Sequence, residues 1–206
     1  MPFVGGLDSI GGLNFLRYLD GRAYGAATGI APGPCIRRHV CGRGTSSANF
    51  PVTLNAFNPT YPTPGYGSGF IVRLDRIGDE RWGAFFGLPG DHPTAYTSLT
   101  SVAVWLDGSV YVGGQTTSNQ LIGAAPLEPT PEFGFVSKLN PNGAGAIYTV
   151  RVGAWVTGVA VATLSNSIGP IHLPPTVKAG AGPYNVYDVY VSKLDEGIQS
   201  VPIGFN

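Results

Sequence analysis

Asp91-His92 is the pair in this chain whose residue types best suit proton transfer or metal binding. It follows Gly87-Leu88-Pro89-Gly90, and Asp79 and Glu80 stand shortly before. An imidazole beside carboxylates can act as a general base or a ligand set, because it exchanges its proton near neutral pH and its bare nitrogen binds metal. Asp91 and His92 are therefore the candidate catalytic residues, and Asp79 and Glu80 the candidate metal ligands. A solvated polar loop tip accounts for the same cluster.

Cys35, His39 and Cys41 put three metal-ligating types within seven residues. Zinc wants four ligands in tetrahedral reach, and these two are the chain's full set of cysteines, so a closed site lacks its fourth arm. The other reading is that they are ordinary residues of a strand, with a disulfide open to them only in an oxidising compartment. Asp8, Asp75, Asn140 and Asp195 recur after similar short runs. They could ring a calcium ion, or they could bond their own backbone two residues on, as Asx side chains do in turns. Trp82, Trp105 and Trp155, with Tyr96 and Tyr111, could stack on sugars or pack between sheets. His172, beside a Pro pair, reads as structural. The sequence holds no G-x-S-x-G elbow, phosphate-binding glycine loop or dinucleotide fingerprint; Gly65-Tyr66-Gly67-Ser68-Gly69 lacks the required spacing and precedes a strand.

The elements that must position these residues come from a repeat. Phe3-Val4-Gly5-Gly6-Leu7-Asp8 returns as Phe70-Ile71-Val72-Arg73-Leu74-Asp75, as Phe135-Val136-Ser137-Lys138-Leu139-Asn140 and as Tyr190-Val191-Ser192-Lys193-Leu194-Asp195, with starts 67, 65 and 55 residues apart. Such self-similarity dictates architecture before anything else. Each copy reads as a half-buried strand entering a turn. Apolar runs follow at Leu13 to Leu19, Arg81 to Leu88 and Ala146 to Val152. Third runs lie at Thr28 to Ala31, Ser101 to Val104 and Gly158 to Val161. A fourth, Ser109 to Gly114, follows Asp107-Gly108, a tight-turn signal because glycine accepts the positive φ that such turns need. Four antiparallel strands per repeat is the pattern of a propeller blade.

These units resemble the bacterial β-propeller repeats known as SBBP repeats, in which a unit reads roughly F-V-A-K-L-D-P-x-G and continues G-I-A-V-D-x-x-G-N-V-Y-V-T-G-x-T-S-S-x-N-F-P. The likeness is good at Phe135 to Gly143, at Ser101 to Thr117 and at Thr45-Ser46-Ser47-Ala48-Asn49-Phe50-Pro51, and it extends over nearly the whole chain. It implies a propeller-like protein of the cell surface or exterior, in a family not tied to one chemistry. Two stretches depart from it. Ile171-His172-Leu173-Pro174-Pro175 replaces a fourth strand, and its double proline removes ladder donors. Pro32 to Cys41 replaces text like L-D-P-A-S-G-D-T-Y-V-C, as a local, later-corrected frameshift in the gene or its sequencing would; the encoding DNA tests that reading.

Composition sets the outer bounds. The chain has 206 residues, 43% apolar and 12% charged, with 31 Gly and 18 Pro between short β-branched runs, which is a packed all-β composition. Twelve basic and twelve acidic residues give zero net charge with no charge runs, against the basic footprint of nucleic-acid binding. No apolar run approaches a membrane span, and no signal peptide is visible ahead of the first repeat strand.

The expectation is an all-β single repeat domain over 1–206, a partial or self-completing β-propeller of about three imperfect four-stranded blades. Its units lie at about 3–57, 70–120 and 135–180, with an extra strand at 189–195. Three units fall short of the four to eight blades of a closed ring, so the chain is expected to be a fragment or to complete a ring as a homodimer. The expected role is an extracellular or cell-surface scaffold that binds a polymer, glycan or protein. The alternative is a calcium-dependent hydrolase, such as a lactonase or glycan-acting enzyme, in which calcium would polarise the scissile carbonyl.

Overall fold

The computed structural model describes residues 2–19, 24–45, 50, 52–59, 67–87, 95–118, 120–121, 133–152 and 155–161, all within the unit Met1–Thr163. These residues are all-β, with one 3-10 turn and no α-helix. No helix among them is long and apolar enough to cross a membrane.

Ten strands form three antiparallel sheets. A hairpin joins β1 (Phe3–Leu7) and β2 (Leu13–Tyr18). A four-stranded meander runs β3 (Tyr24–Gly33), β4 (Arg37–Thr45), β5 (Ser68–Leu74) and β6 (Glu80–Phe85). A second runs β7 (Thr97–Val104), β8 (Val110–Thr116), β9 (Phe133–Leu139) and β10 (Ala146–Val152). Each meander starts at the third apolar run of one repeat unit and ends at the second run of the next. The sheets are thus cut from the repeat two strands out of phase with its opening phrase. Connection length does not set these boundaries, since the connections after β4 and β8, inside the meanders, are longer than those after β2 and β6.

The hairpin and the two meanders stack in chain order, and strand alternation supplies both interfaces. From β5, Phe70, Val72 and Leu74 turn toward the hairpin and join Val4, Leu19, Val40 and Phe85. Ile71 turns the other way and joins Ala84, Phe86, Leu99, Val110, Val112 and Phe135 between the meanders. Phe86 and Phe135 stack there with ring centroids 5.6 Å apart. Each buried side chain of this size is worth about 1.5–3 kcal/mol over an exposed one. The outer face of the hairpin is different: Phe3, Leu7, Leu13 and Tyr18 are more than 60% exposed.

Close approach of β7 to β3 needs small residues and a local kink. Both strands carry a bulge at the same place, between Ala27 and Gly29 and between Leu99 and Ser101. Thr28 and Thr100 are the extra residues. The Thr28 hydroxyl donates to the Leu99 carbonyl at 2.6 Å, joining one sheet to the next. A side chain on Gly29 would press against the Ser101 and Val102 backbone.

Candidate functional site

The turns after each opening strand fix one end of the stack. Asp8 Oδ1 accepts from the Ile10 and Gly12 amides, and Asp75 Oδ1 from those of Ile77 and Asp79. Both are Asx turns, closed by Gly11 and Gly78 at positive φ. Asn140 shares the backbone pattern, its carbonyl accepting from the Gly143 amide. Burial would raise the Asp75 carboxyl, but bonds from Arg81, Asp79 and Ile77 outweigh it and hold its pKa below the usual value.

At this turn end, a cleft of about 570 Å³ opens between the two meanders. Arg37 comes from the start of β4, Arg73 from β5, and Arg81 and Trp82 from β6. Thr53 and Asn55 close one side, and Pro141 and Asn142 of the β9–β10 turn the other. Register brings the cations together. Arg73 pairs with His39 on one side and Trp82 on the other, and Arg81 occupies a bulge beside them. Arg73 donates to the Pro141 carbonyl at 2.6 Å and lies over the Trp82 ring, 5.9 Å from its centroid. Burial, then Arg37, then Arg81 lower the Arg73 pKa. Among the described residues the salt bridges are Arg17–Asp79 and Arg81–Asp75, which leaves Arg37 and Arg73 without a carboxylate. The Trp82 indole N–H is buried with no hydrogen-bond partner among those residues.

His39 sits behind this wall, 2% exposed, its ring 6.0 Å from that of Trp82. Neither ring nitrogen has a hydrogen-bond partner among the described residues. Burial, helped by Arg73 and Arg37, lowers its pKa to about 4. It stands where Tyr111 stands in the next sheet, since Pro32 pairs with Arg38 as Val104 pairs with Val110. The stretch that breaks the repeat therefore keeps the loop length but changes its chemistry and its turn, which takes positive φ at Cys35 where the next sheet takes it at Gly108. Cys35, at φ 59°, falls in the 3-10 turn Pro34–Ile36 and is exposed, while Cys41 is buried and its thiol is pushed up to about 11.

Of the sequence candidates, Asp91 and His92 lie outside the described residues, as do His172 and Asp195. Asp79 is paired with Arg17. Glu80 opens β6 opposite Leu74, and burial raises its pKa to about 7. Among the described residues no three His, Cys, Asp or Glu side chains come together as a metal site would require. Trp82 is a buried wall of the cleft, whereas Trp155 is 56% exposed. The three arginines do not stand out in the sequence, because Arg37 lies far from the other two and Asp75, Asp79 and Glu80 separate Arg73 from Arg81. No family model matches the chain, and neither does any curated protein.

Proposed function

We propose that the chain is a binding scaffold of the β-propeller type, acting at the cell surface or outside the cell, which takes a polymer, glycan or protein ligand at the turn end of its stacked sheets. The observation that carries this reading is the cleft between the meanders, walled by Arg37, Arg73, Arg81 and Trp82 and framed by turns from both sheets. Propeller ligands are held by the loops that neighbouring blades present together, and this cleft has that composition. The two meanders, each stacked on the next and carrying the same bulge, support the blade reading. The exposed apolar face of β1 and β2 supports completion of the ring by a second copy, which solution mass reads directly.

Affinity electrophoresis of the full chain through neutral, carboxylated and phosphorylated polysaccharides tests the binding role. Saturable retardation by one polymer, with its chain length unchanged on adding calcium, is the expected result. Shortening of the polymer would transfer the chain to the hydrolase class, and migration unaffected by every polymer and by added proteins would remove the scaffold reading.

A further inference from the structure

We infer that the cleft binds a phosphate group, presented as a monoester on a larger ligand. The inference rests on the binding reading above and names the chemistry that the site selects.

Its wall is made of donors. Guanidinium groups donate only, in a planar fork that matches two oxygens of an oxyanion at once. Three of them face one cleft, with the amides of Asn55 and Asn142 and the Thr53 hydroxyl beside them. Among the described residues, Asp75 balances one of the three charges, that of Arg81. Three less one leaves two. One sulfate ester or carboxylate would leave one of those uncompensated, whereas a phosphate monoester carries roughly −1.5 to −2 near neutral pH.

Burial, and after it repulsion from Arg37 and Arg81, lower the proton affinity of Arg73. A dianion between these cations offsets that repulsion. Trp82 adds an independent indication. Its ring is already occupied, by the Arg73 guanidinium and by Gly143, where an added Cβ would come within 2.6 Å of the indole. Trp82 therefore offers this cleft no free stacking platform for a neutral sugar. The volume of about 570 Å³ exceeds that of a bare oxyanion and falls in the range of small-ligand sites, roughly 300–1,000 Å³. That leaves room for the group that carries the phosphate.

The test is calorimetric titration of the full chain with inorganic phosphate, glucose 6-phosphate and glucose at constant ionic strength. The variants are Arg37→Gln and Arg81→Gln, both at exposed positions, and Arg43→Gln on β4 as a control outside the cleft. Saturable binding of phosphate and of glucose 6-phosphate is expected, weakened about tenfold or more in R37Q and in R81Q, the loss of a charge-assisted hydrogen bond. R43Q should match the parent chain, and glucose should give no heat. Binding of the ester at least as tight as that of the free ion identifies a phosphorylated ligand; a much weaker ester identifies free phosphate. Phosphate binding equal in all four chains, or none in any, overturns the inference. Retention of a neutral polymer without phosphate binding overturns this inference and leaves the scaffold standing. Phosphate binding without retention of any polymer or protein does the reverse.

Discussion

The Thr28 hydroxyl donates to the Leu99 carbonyl across the junction of the two meanders, and the Thr100 hydroxyl donates in the same way to the Val156 carbonyl, in the strandless stretch 155–161. Thr28 and Thr100 are the bulged residues of equivalent strands, so the bulge aims a hydroxyl at the backbone packed against it, that of β7 for Thr28 and that of Val156 for Thr100. The Thr28 bond ties the first meander to the second.

Thr28→Val keeps the shape and removes the bond, leaving the Leu99 carbonyl to find another donor. A loss of about 1–2 kcal/mol is expected in denaturant unfolding, and Thr28→Ser should recover most of it. An unchanged midpoint in T28V would show that the inter-sheet bond adds nothing.

Gly42 and Gly114 face these bulges from the neighbouring strand, and a side chain on either would collide with a carbonyl, that of Ala26 or of Ser98. Backbone cannot yield as a flexible side chain can. Gly42→Ala and Gly114→Ala should each cost about 1–3 kcal/mol, read by the same unfolding curves. Wild-type stability in both variants would mean that the close approach is not real.

All-β structure, the hairpin turns and most strand positions were legible in the sequence because they are local. Aromatic and β-branched alternation marks a strand, and Asp107-Gly108 marks a turn whose Gly108 does take positive φ. For Asp8 and Asp75 the sequence left a turn role beside a calcium ring, and their bonds to the following amides show the turn. The bulges at Thr28 and Thr100 were not legible, because they answer to a neighbouring sheet. Nor was the cleft: β4, β5 and β6 bring Arg37, Arg73 and Arg81 together by register, and the intervening acidic residues hide the cluster from any window of sequence. The Asp91-His92 pair lies outside the described residues.

His39 gives a pH dependence. Its pKa falls from 6.5 to about 4 on folding, so between those values the unfolded chain binds more protons than the folded one. Stability contributed by the neutral ring is full above pH 6.5 and is lost as pH falls toward 4. The loss is on the order of 3 kcal/mol, at 1.36 kcal/mol per unit. Glu80 works the opposite way: its raised pKa withdraws stability as pH rises from 4.5 toward 7. His39→Leu should raise stability near neutral pH by about 1–3 kcal/mol, since both ring nitrogens lack hydrogen-bond partners among the described residues. Its advantage over the parent should widen from pH 6.5 to 4. A parallel pair of pH profiles would contradict the buried neutral imidazole.

Calcium addresses the repeated acidic residues. Asp8 and Asp75 each commit an oxygen to two turn amides, and Asp75 also pairs with Arg81. Melting should therefore be the same with millimolar calcium and with a chelator. A calcium-dependent rise that disappears in Asp75→Asn would show that this carboxylate is a ligand.

The most direct measurement is the indole N–H spectrum of the nitrogen-15 labelled chain during titration with inorganic phosphate and then with whichever polymer is retained. Three tryptophans give three indole signals, assigned by single substitution. If the cleft is the binding site, the Trp82 signal moves saturably with both ligands while that of exposed Trp155 stays in place. A polymer that binds and leaves Trp82 unmoved would place the binding surface elsewhere and contradict the account.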